Sequence, residues 1–159
     1  MGGAFVEKIE ILKQTDLFRG LPLSFFPTVI PLLEKKSFTE GGTIFQEGDV
    51  GEDIYIVGAG SVSIIVNIPE IGEEEVAILK PYDFFGEMAI IDGDVRSATA
   101  IAHKGTEVFK IRRNDFLSLI DEEAPYATEI LENIILKLSI RIRSTSDKLN
   151  MFYLMDMGV

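Results

Sequence analysis

The chain contains 159 residues, of which 47% are apolar, so it is long and apolar enough to fold as one globular domain with a hydrophobic core. Its formal net charge of −11 argues against nucleic acids and anionic membranes as partners of the whole chain. Cysteine is absent, and no apolar run or N-terminal leader pattern predicts a membrane span or a signal peptide, which together favour a cytoplasmic location.

Residues 1–36 are predicted to form an N-terminal helical segment. Apolar residues recur at helical spacing from Phe5 to Gln14 and predict a short helix. A second helix is expected from Phe25 to Lys35, with Ser24 as its N-cap. Pro31 falls inside this helix and is expected to kink or split it, because proline lacks the amide hydrogen that a helix interior needs.

Residues 37–112 show a different pattern, in which glycines separate short runs rich in Ile, Val, Phe and Tyr. Short strands with turn signals about every ten residues are typical of an antiparallel sandwich or barrel. The sequence therefore predicts an α+β fold that is mainly β. The predicted strands are Thr43–Gln46, Ile54–Val57, Ser61–Ile68, Glu75–Leu79, Ala98–Ala102 and Glu107–Ile111.

Residues 113–159 return to a helical pattern. Asn114 is expected to cap a helix over Asp115–Asp121, and Pro125 to open a long helix that ends near Met155. Residues on the long helix alternate steps of four and three, which predicts a heptad seam of Leu131, Ile135, Leu138, Ile142, Thr145, Leu149 and Phe152. The seam can pack on the chain's own barrel or on a second copy, and a two-fold homodimer is the more economical choice.

The stretch from Asp83 to Ala102 holds the residues with binding chemistry. Gly86 lets a ligand approach the backbone closely, and a helical turn from Glu87 to Ile91 leaves its first amides free for an anion. Arg96 follows across a tight turn, where its guanidinium can return to the same spot and pair with a phosphate. Because Glu87 repels phosphate, its presence suggests a ligand that also carries a hydroxyl, as a nucleotide does. A plain exposed ion pair between Glu87 and Arg96 is the alternative.

The same stretch carries a resemblance to a known family. Phe-Gly-Glu-Met-Ala at residues 85–89, followed by Arg-Ser-Ala-Thr at residues 96–99, is similar to the phosphate-binding cassette of cyclic nucleotide-binding domains, found in catabolite activator proteins and the regulatory subunit of cAMP-dependent kinase. The sequence departs from the family pattern at Val95, where many members have proline.

The resemblance implies a stand-alone antiparallel jelly-roll β-barrel with N-terminal helices, a long C-terminal helix and a cassette over residues 84–97. In it, the Gly86–Ala89 amides and Arg96 hold a cyclic phosphate, and Glu87 accepts the ribose 2′-hydroxyl. The implied ligand-binding residues are Phe85, Gly86, Glu87, Met88, Ala89, Arg96, Ser97, Thr145 and Ser146.

The long helix extends the resemblance between Arg143 and Leu149. In dimeric bacterial activators of this family, a similar Thr-Ser pair contacts the purine, so Thr145, with Ser146, is implied to cover the base as a lid. A single polar residue in an apolar seam can instead fix the register of two helices, and both interpretations of Thr145 stay open. Arg141 is a further candidate for capping the ligand.

The predicted function is that of a regulatory sensor that binds a cyclic nucleotide, cAMP in preference to cGMP, and signals through movement of its C-terminal helix. The alternative is a structural dimerisation module that keeps the fold but has lost the ligand. Catalysis, a cofactor and a metal are not expected, because an enzyme on a similar barrel needs several histidines and the chain has only His103. Since neither a winged helix nor a catalytic domain follows the long helix, the output is expected to reach an unknown downstream protein rather than DNA.

Overall fold

The computed structural model describes residues 2–122 and 124–156, in which helices at both ends flank a pair of four-stranded antiparallel sheets. The α-helices are α1 Gly2–Gln14, α2 Phe26–Val29, α3 Glu87–Asp92, α4 Arg113–Glu122 and α5 Ala124–Asp156, and short 3-10 turns cover Asp16–Phe18, Leu23–Phe25 and Ile30–Leu32. The strands are β1 Glu34–Phe38, β2 Thr43–Phe45, β3 Asp53–Ala59, β4 Val62–Ile68, β5 Gly72–Leu79, β6 Phe84–Phe85, β7 Thr99–Ala102 and β8 Thr106–Arg112.

The strands form a jelly roll, with the order β1-β8-β3-β6 in one sheet and β2-β7-β4-β5 in the other. Every neighbouring pair is antiparallel. Most connections between sequential strands pass from one sheet to the other, whereas β4 and β5 form a hairpin within one sheet. Both sheets face a common interior, where the second apolar cluster lies. The expected antiparallel jelly-roll barrel with a long C-terminal helix is confirmed.

Strand β3 lies at the centre of the fold because both of its faces are covered. Ile54 and Ile56 are buried in a cluster shared with the helices, while Tyr55 and Val57 are buried in a second cluster between the sheets. Side chains alternate between the two faces of a strand, so the continuous apolar run from Ile54 to Val57 fits this central place.

The predicted second helix is wrong beyond Leu32. Pro31 lies in a 3-10 turn, and Leu33 is extended, so the chain leaves helical geometry there. Strand β1 then starts at Glu34 and pairs with β8, and Lys35 bridges Glu7 and Glu107 at 2.7 and 2.9 Å. The predicted N-cap role of Ser24 is also wrong, because Ser24 lies within a 3-10 turn that makes no side-chain cap bond.

The first half of α5 packs on the chain's own core. Ile130 and Ile134 are buried among the helical cluster. Between them, the Asn133 amide donates to the carbonyl oxygens of Leu17 and Arg19, at 3.2 and 2.9 Å. Most of the predicted seam is exposed, namely Leu131, Ile135, Ile142, Leu149 and Phe152. None of the helices within residues 2–122 and 124–156 is both long and apolar enough to cross a membrane.

A strained turn leads from β5 into β6. Tyr82 has a φ of +76°, and the amide of Asp83 donates to the Lys80 carbonyl at 3.1 Å. Pro81 precedes Tyr82, so the turn has the residue order of a type II turn, which requires a positive φ at its third residue and usually has glycine there. The Asp83 carboxylate closes the turn by accepting the Lys80 amide at 3.0 Å.

We expect Tyr82→Gly to raise the free energy of unfolding by up to about 1 kcal/mol, because glycine adopts a positive φ without the clash that other residues meet. Urea unfolding of both proteins measures the difference. Tyr82→Ala is the matched control, since alanine removes the ring but keeps the strain. Equal stability of the glycine and alanine variants would contradict the strain at this turn.

Candidate functional site

The stretch Phe85–Ala89 makes a sharp entry into helix α3. Gly86 has a φ of +79° and directly precedes the first residue of the helix, Glu87. A Cβ atom on Gly86 would lie 2.7 Å from Nη1 of Arg96 and 3.3 Å from the carbonyl oxygen of Asp53. Both the backbone angle and the lack of space therefore require glycine at this position.

Arg96 is buried directly beside this glycine, with 4% of its surface exposed. Its Nη1 donates to the Gly86 carbonyl at 2.7 Å, and its Nη2 donates to the Asp53 carbonyl at 2.5 Å. Its Nε is buried and has no hydrogen-bond partner in the part of the chain that the structure describes. Burial lowers the pKa of the guanidinium, which nevertheless stays protonated. A buried cation with an unused donor suits an anionic group.

Aromatic rings flank the same guanidinium. Its central carbon lies 4.2 Å from the ring centroid of Phe45 and 5.7 Å from that of Tyr55. The Asp53 carboxylate instead accepts from Lys110 Nζ at 3.1 Å and from the Tyr55 hydroxyl at 3.4 Å. Burial, together with the charge of Asp53, raises the pKa of Tyr55 to about 12.

The sequence predicted strands for Phe45 and Tyr55, but it indicated no contact of these two residues or of Asp53 with Arg96. Phe45 and Asp53 lie more than forty positions before Arg96, and only the pairing of distant strands brings them together. The single local signal was an aromatic residue on each of the two strands, which the apolar pattern of a core explains equally well.

Glu87 joins the cassette to helix α5. Its side chain is buried, and Oε1 accepts a hydrogen bond from Nη1 of Arg141. The other terminal nitrogen of Arg141 donates to the carbonyl of Phe84. Nearby, Lys137 Nζ lies 2.6 Å from the Asp83 carboxylate and 3.5 Å from that of Asp16. The alternative of an exposed ion pair between Glu87 and Arg96 is therefore wrong, because both residues are buried and Glu87 pairs with Arg141 of the long helix.

A cavity of about 460 Å³ lies between the cassette, the second sheet and α5. This volume falls within the usual range for small-molecule sites. Its polar and charged lining residues are Asp83, Glu87, Arg96, Ser97, Lys137, Arg141, Ser144 and Thr145. Its apolar and glycine lining is Phe45, Ile64, Val66, Val76, Ala77, Leu79, Phe85, Gly86, Met88, Ala89, Ala98 and Ile140. One cavity thus holds a cation, a carboxylate, hydroxyls and an apolar wall.

The cavity includes all but one of the residues that the sequence implied for ligand binding. Ser146 is the exception: Ser144, two residues earlier on α5, lines the cavity instead. Thr145 borders it, and its hydroxyl donates to the Arg141 carbonyl at 2.9 Å. Ser97 is exposed and its Oγ lies 4.0 Å from the sulfur of Met88.

A second cavity, of about 620 Å³, lies where the start of β3, the end of β8 and the start of α4 meet. Its lining mixes acidic groups, such as Glu52 and Asp115, with the basic groups Lys110, Arg112 and Arg113. Arg113 is already engaged, since its Nε donates to the carbonyl of Ile90 at 3.3 Å. The mixed charge gives this cavity no preference for an anion or a cation.

Comparison with known proteins points to the family that the cassette resembles. A family model described as the cyclic nucleotide-binding domain matches residues 35–123. The chain is 33% identical over 109 residues to the cyclic AMP receptor protein of Thermus thermophilus, covering 69% of this chain and 50% of that protein. It is 30% identical over 140 residues to a CRP-like cAMP-activated global transcriptional regulator of Mycobacterium tuberculosis, covering 88% of this chain and 61% of that protein.

A solved structure agrees with the sequence relatives. The crystal structure of the Thermus thermophilus catabolite activator protein superposes with a TM-score of 0.75 at 28% identity, covering 88% of this chain and 64% of that one. The chain spans between half and about two thirds of the length of these relatives. The matched family model covers more than half of the chain and includes the cassette and Arg96. The chain therefore belongs to the cyclic nucleotide-binding domain family.

Proposed function

We propose that the chain is a regulatory sensor that binds cAMP in preference to cGMP and reports binding through helix α5 without catalysing a reaction. The observation that carries this proposal is the shared cavity, in which the unused donor of Arg96, the carboxylate of Glu87 and the face of α5 meet. The one histidine, His103, supports a role without catalysis, because its Nε2 lies 2.7 Å from Ser63 Oγ and His103 is not among the cavity residues.

The phosphate is proposed to sit against Arg96 and the backbone of Gly86–Ala89. Arg96 is held by two carbonyl oxygens, which carry no net charge, so its positive charge remains available to a phosphate. The amides at the start of α3 add donors on the same side. Because the guanidinium is already fixed, little side-chain entropy is lost when a ligand binds.

The ribose hydroxyl is proposed to bond to Glu87. A carboxylate has two oxygens that together accept about four hydrogen bonds, so Glu87 can accept a hydroxyl while it is bonded to Arg141. The Glu87 carboxylate repels a second anion. It can instead accept a hydrogen bond from an uncharged hydroxyl that lies beside the phosphate. Glu87 thereby selects a ribose over a 2′-deoxyribose.

The purine is proposed to lie on the apolar wall formed by β4 and β5 and to be covered by α5. Ile64, Val66 and Val76 supply this wall. Guanine carries a carbonyl oxygen and a ring N–H in addition to its amino group, whereas adenine has neither, so an apolar wall favours adenine. Both sequence relatives carry cyclic AMP in their names. Ser144 and Thr145 supply hydroxyls on the helix side.

Helix α5 is proposed to transmit the signal. A ligand in the cavity contacts the cassette and α5 together, and it can therefore favour one position of the helix over another. The helix is also tied to the 3-10 turn Asp16–Phe18 through Asn133 and Lys137, so a shift of α5 reaches that turn. The chain is proposed to act in the cytoplasm, and its downstream partner is proposed to be another protein.

A homodimer through α5 is also part of the proposal. Leu131, Ile135, Ile142 and Leu149 are exposed along one side of the helix, next to the side that packs on the barrel. An exposed apolar stripe of this length is typical of a helix that pairs with another. Leu138, by contrast, packs against the chain's own core.

The direct test is calorimetric titration of the purified chain, freed of any bound nucleotide, with cAMP and separately with cGMP. We expect saturable binding of one nucleotide per chain, and tighter binding of cAMP. Arg96→Lys keeps the charge but loses the planar fork, and it is expected to weaken cAMP binding at least about tenfold. The control Arg143→Lys, at an exposed position on α5, is expected to bind as the wild type does. No binding of either nucleotide would refute the sensor and leave the structural dimerisation module.

The role of Glu87 is tested with 2′-deoxy-cAMP. The wild type is expected to bind cAMP about tenfold or more tightly than the deoxy analogue, because a hydrogen bond to a charged acceptor is lost. Glu87→Gln is expected to shrink this preference. Asp83→Asn, at another carboxylate of the cavity, serves as the control and is expected to keep it. A preference that survives Glu87→Gln unchanged would show that another group accepts the hydroxyl.

The homodimer is tested by sedimentation velocity on two variants that each place a glutamate at an exposed apolar position of α5. Ile142→Glu is expected to yield monomers, because a charge in the apolar stripe is costly to bury. Leu136 is also exposed, but it lies on a different face of α5, because six residues turn a helix by about 600°, which is about 240° beyond a full turn. Leu136→Glu is therefore expected to remain a dimer, as the wild type does. A dimeric Ile142→Glu variant would place the interface elsewhere.

A further inference from the structure

Three aromatic side chains form a cluster beneath the cassette. Phe45 comes from β2, Tyr55 from β3 and Phe85 from β6, so both sheets contribute. The ring centroids of Tyr55 and Phe85 lie 5.2 Å apart and their planes are inclined by 19°, while Phe45 lies 5.7 Å from Tyr55 and 5.9 Å from Phe85. Such offset contacts are favourable for aromatic pairs and fix the position of each ring.

Phe45 presents its ring to the guanidinium of Arg96. The separation of 4.2 Å between the guanidinium carbon and the ring centroid is well inside the range for a cation–π interaction. Arg96 is also almost fully buried, and this interaction strengthens when the cation is removed from water. Phe45 in turn borders the cavity.

The way in which Arg96 is held bears on its charge. Within residues 2–122 and 124–156, Arg96 forms no ion pair, and the nearby Asp53 carboxylate lies within 4 Å of Lys110 instead. A carboxylate partner would have neutralised the guanidinium and competed with an anionic ligand. An aromatic ring and two carbonyl oxygens stabilise the buried cation without neutralising it.

We propose that Phe45 is a positioning residue for phosphate binding, which holds the guanidinium of Arg96 in a fixed plane and preserves its charge for the ligand. The two carbonyl bonds fix Nη1 and Nη2, and the ring closes one face of the guanidinium against water. Because the ring fixes the plane of the guanidinium, it also fixes the direction of the N–H bond at Nε, which has no other partner. This inference rests on the proposed binding of a cyclic nucleotide and adds a residue outside the cassette to the site.

The test compares Phe45→Leu, which keeps an apolar side chain but removes the ring face, with Phe45→Tyr, which keeps the ring. We expect Phe45→Leu to bind cAMP at least about tenfold more weakly and Phe45→Tyr to bind it nearly as the wild type does. Phe38→Leu is the control for packing, since Phe38 packs against the same core cluster from β1. It is expected to lower stability and leave the affinity unchanged.

A second measurement needs no nucleotide. The ring of Phe45 is expected to shift the proton resonance of Arg96 Nε–H upfield, and in the ligand-free protein Phe45→Leu is expected to abolish that shift while Phe45→Tyr retains it. An unchanged resonance in Phe45→Leu, or an affinity loss in Phe38→Leu as large as in Phe45→Leu, would overturn the positioning role.

If the wild type binds no cyclic nucleotide, the proposed function fails, and with it any role of Phe45 in phosphate binding. If the wild type binds and Phe45→Leu binds equally well, only the role of Phe45 fails.

Discussion

The burial of one guanidinium is the constraint on which the cassette depends. Arg96 is removed from water, which is costly for a cation unless its donors and its charge are compensated. Compensation comes from the carbonyls of Gly86 and Asp53 and from the ring of Phe45. These groups belong to β2, to β3 and to the N-cap of α3, so Arg96 is buried at the point where both sheets meet the cassette. The same contacts that stabilise the fold therefore prepare an anion site.

The middle of helix α5 contacts the cassette and the residue before it. Its buried first half is fixed by Ile134 and Asn133, whereas Lys137 and Arg141 reach the cassette through Asp83 and Glu87. Under the proposed function, a nucleotide in the cavity contacts both Glu87 and the helix and changes the energy of these contacts. The pair of Lys137 with Asp83 is partly exposed, so it can be exchanged for contacts with a ligand at a modest free-energy cost. Glu87 is buried, so its contact with Arg141 can be exchanged only for another hydrogen bond, such as that of a ligand hydroxyl. A buried apolar contact would not respond in this way.

The sequence predicts those features of the fold that depend on neighbouring residues in the chain. The glycine-separated apolar runs correctly indicated most strands, the step of three and four indicated α5, and the order of Gly86, Glu87 and Arg96 indicated a cassette. Strand β1 was missed because its residues are polar and it is held by pairing with β8 far along the chain. The contacts of Arg141 with Glu87 and of Phe45 with Arg96 were missed because they join residues about fifty positions apart.

The position of a side chain around a helix is also hard to predict from sequence. A helix turns by about 100° per residue, so a difference of one or two residues moves a side chain to another face. Ser144 lines the cavity where Ser146 was expected, and the predicted seam is divided, with Leu138 packed on the core and Ile142 exposed. The packing of α5 on the barrel sets this phase, and it is a tertiary contact that the heptad pattern does not contain.

The central claim is that one ligand bridges the cassette and α5. Hydrogen–deuterium exchange of the full chain, with and without saturating cAMP, tests it most directly. The account predicts that the nucleotide protects amides of residues 84–97 and of residues 137–149 together, while α1, which does not border the cavity, exchanges at the same rate in both samples. Protection limited to the cassette, or absent from both segments, would contradict the claim that the helix reads the state of the site.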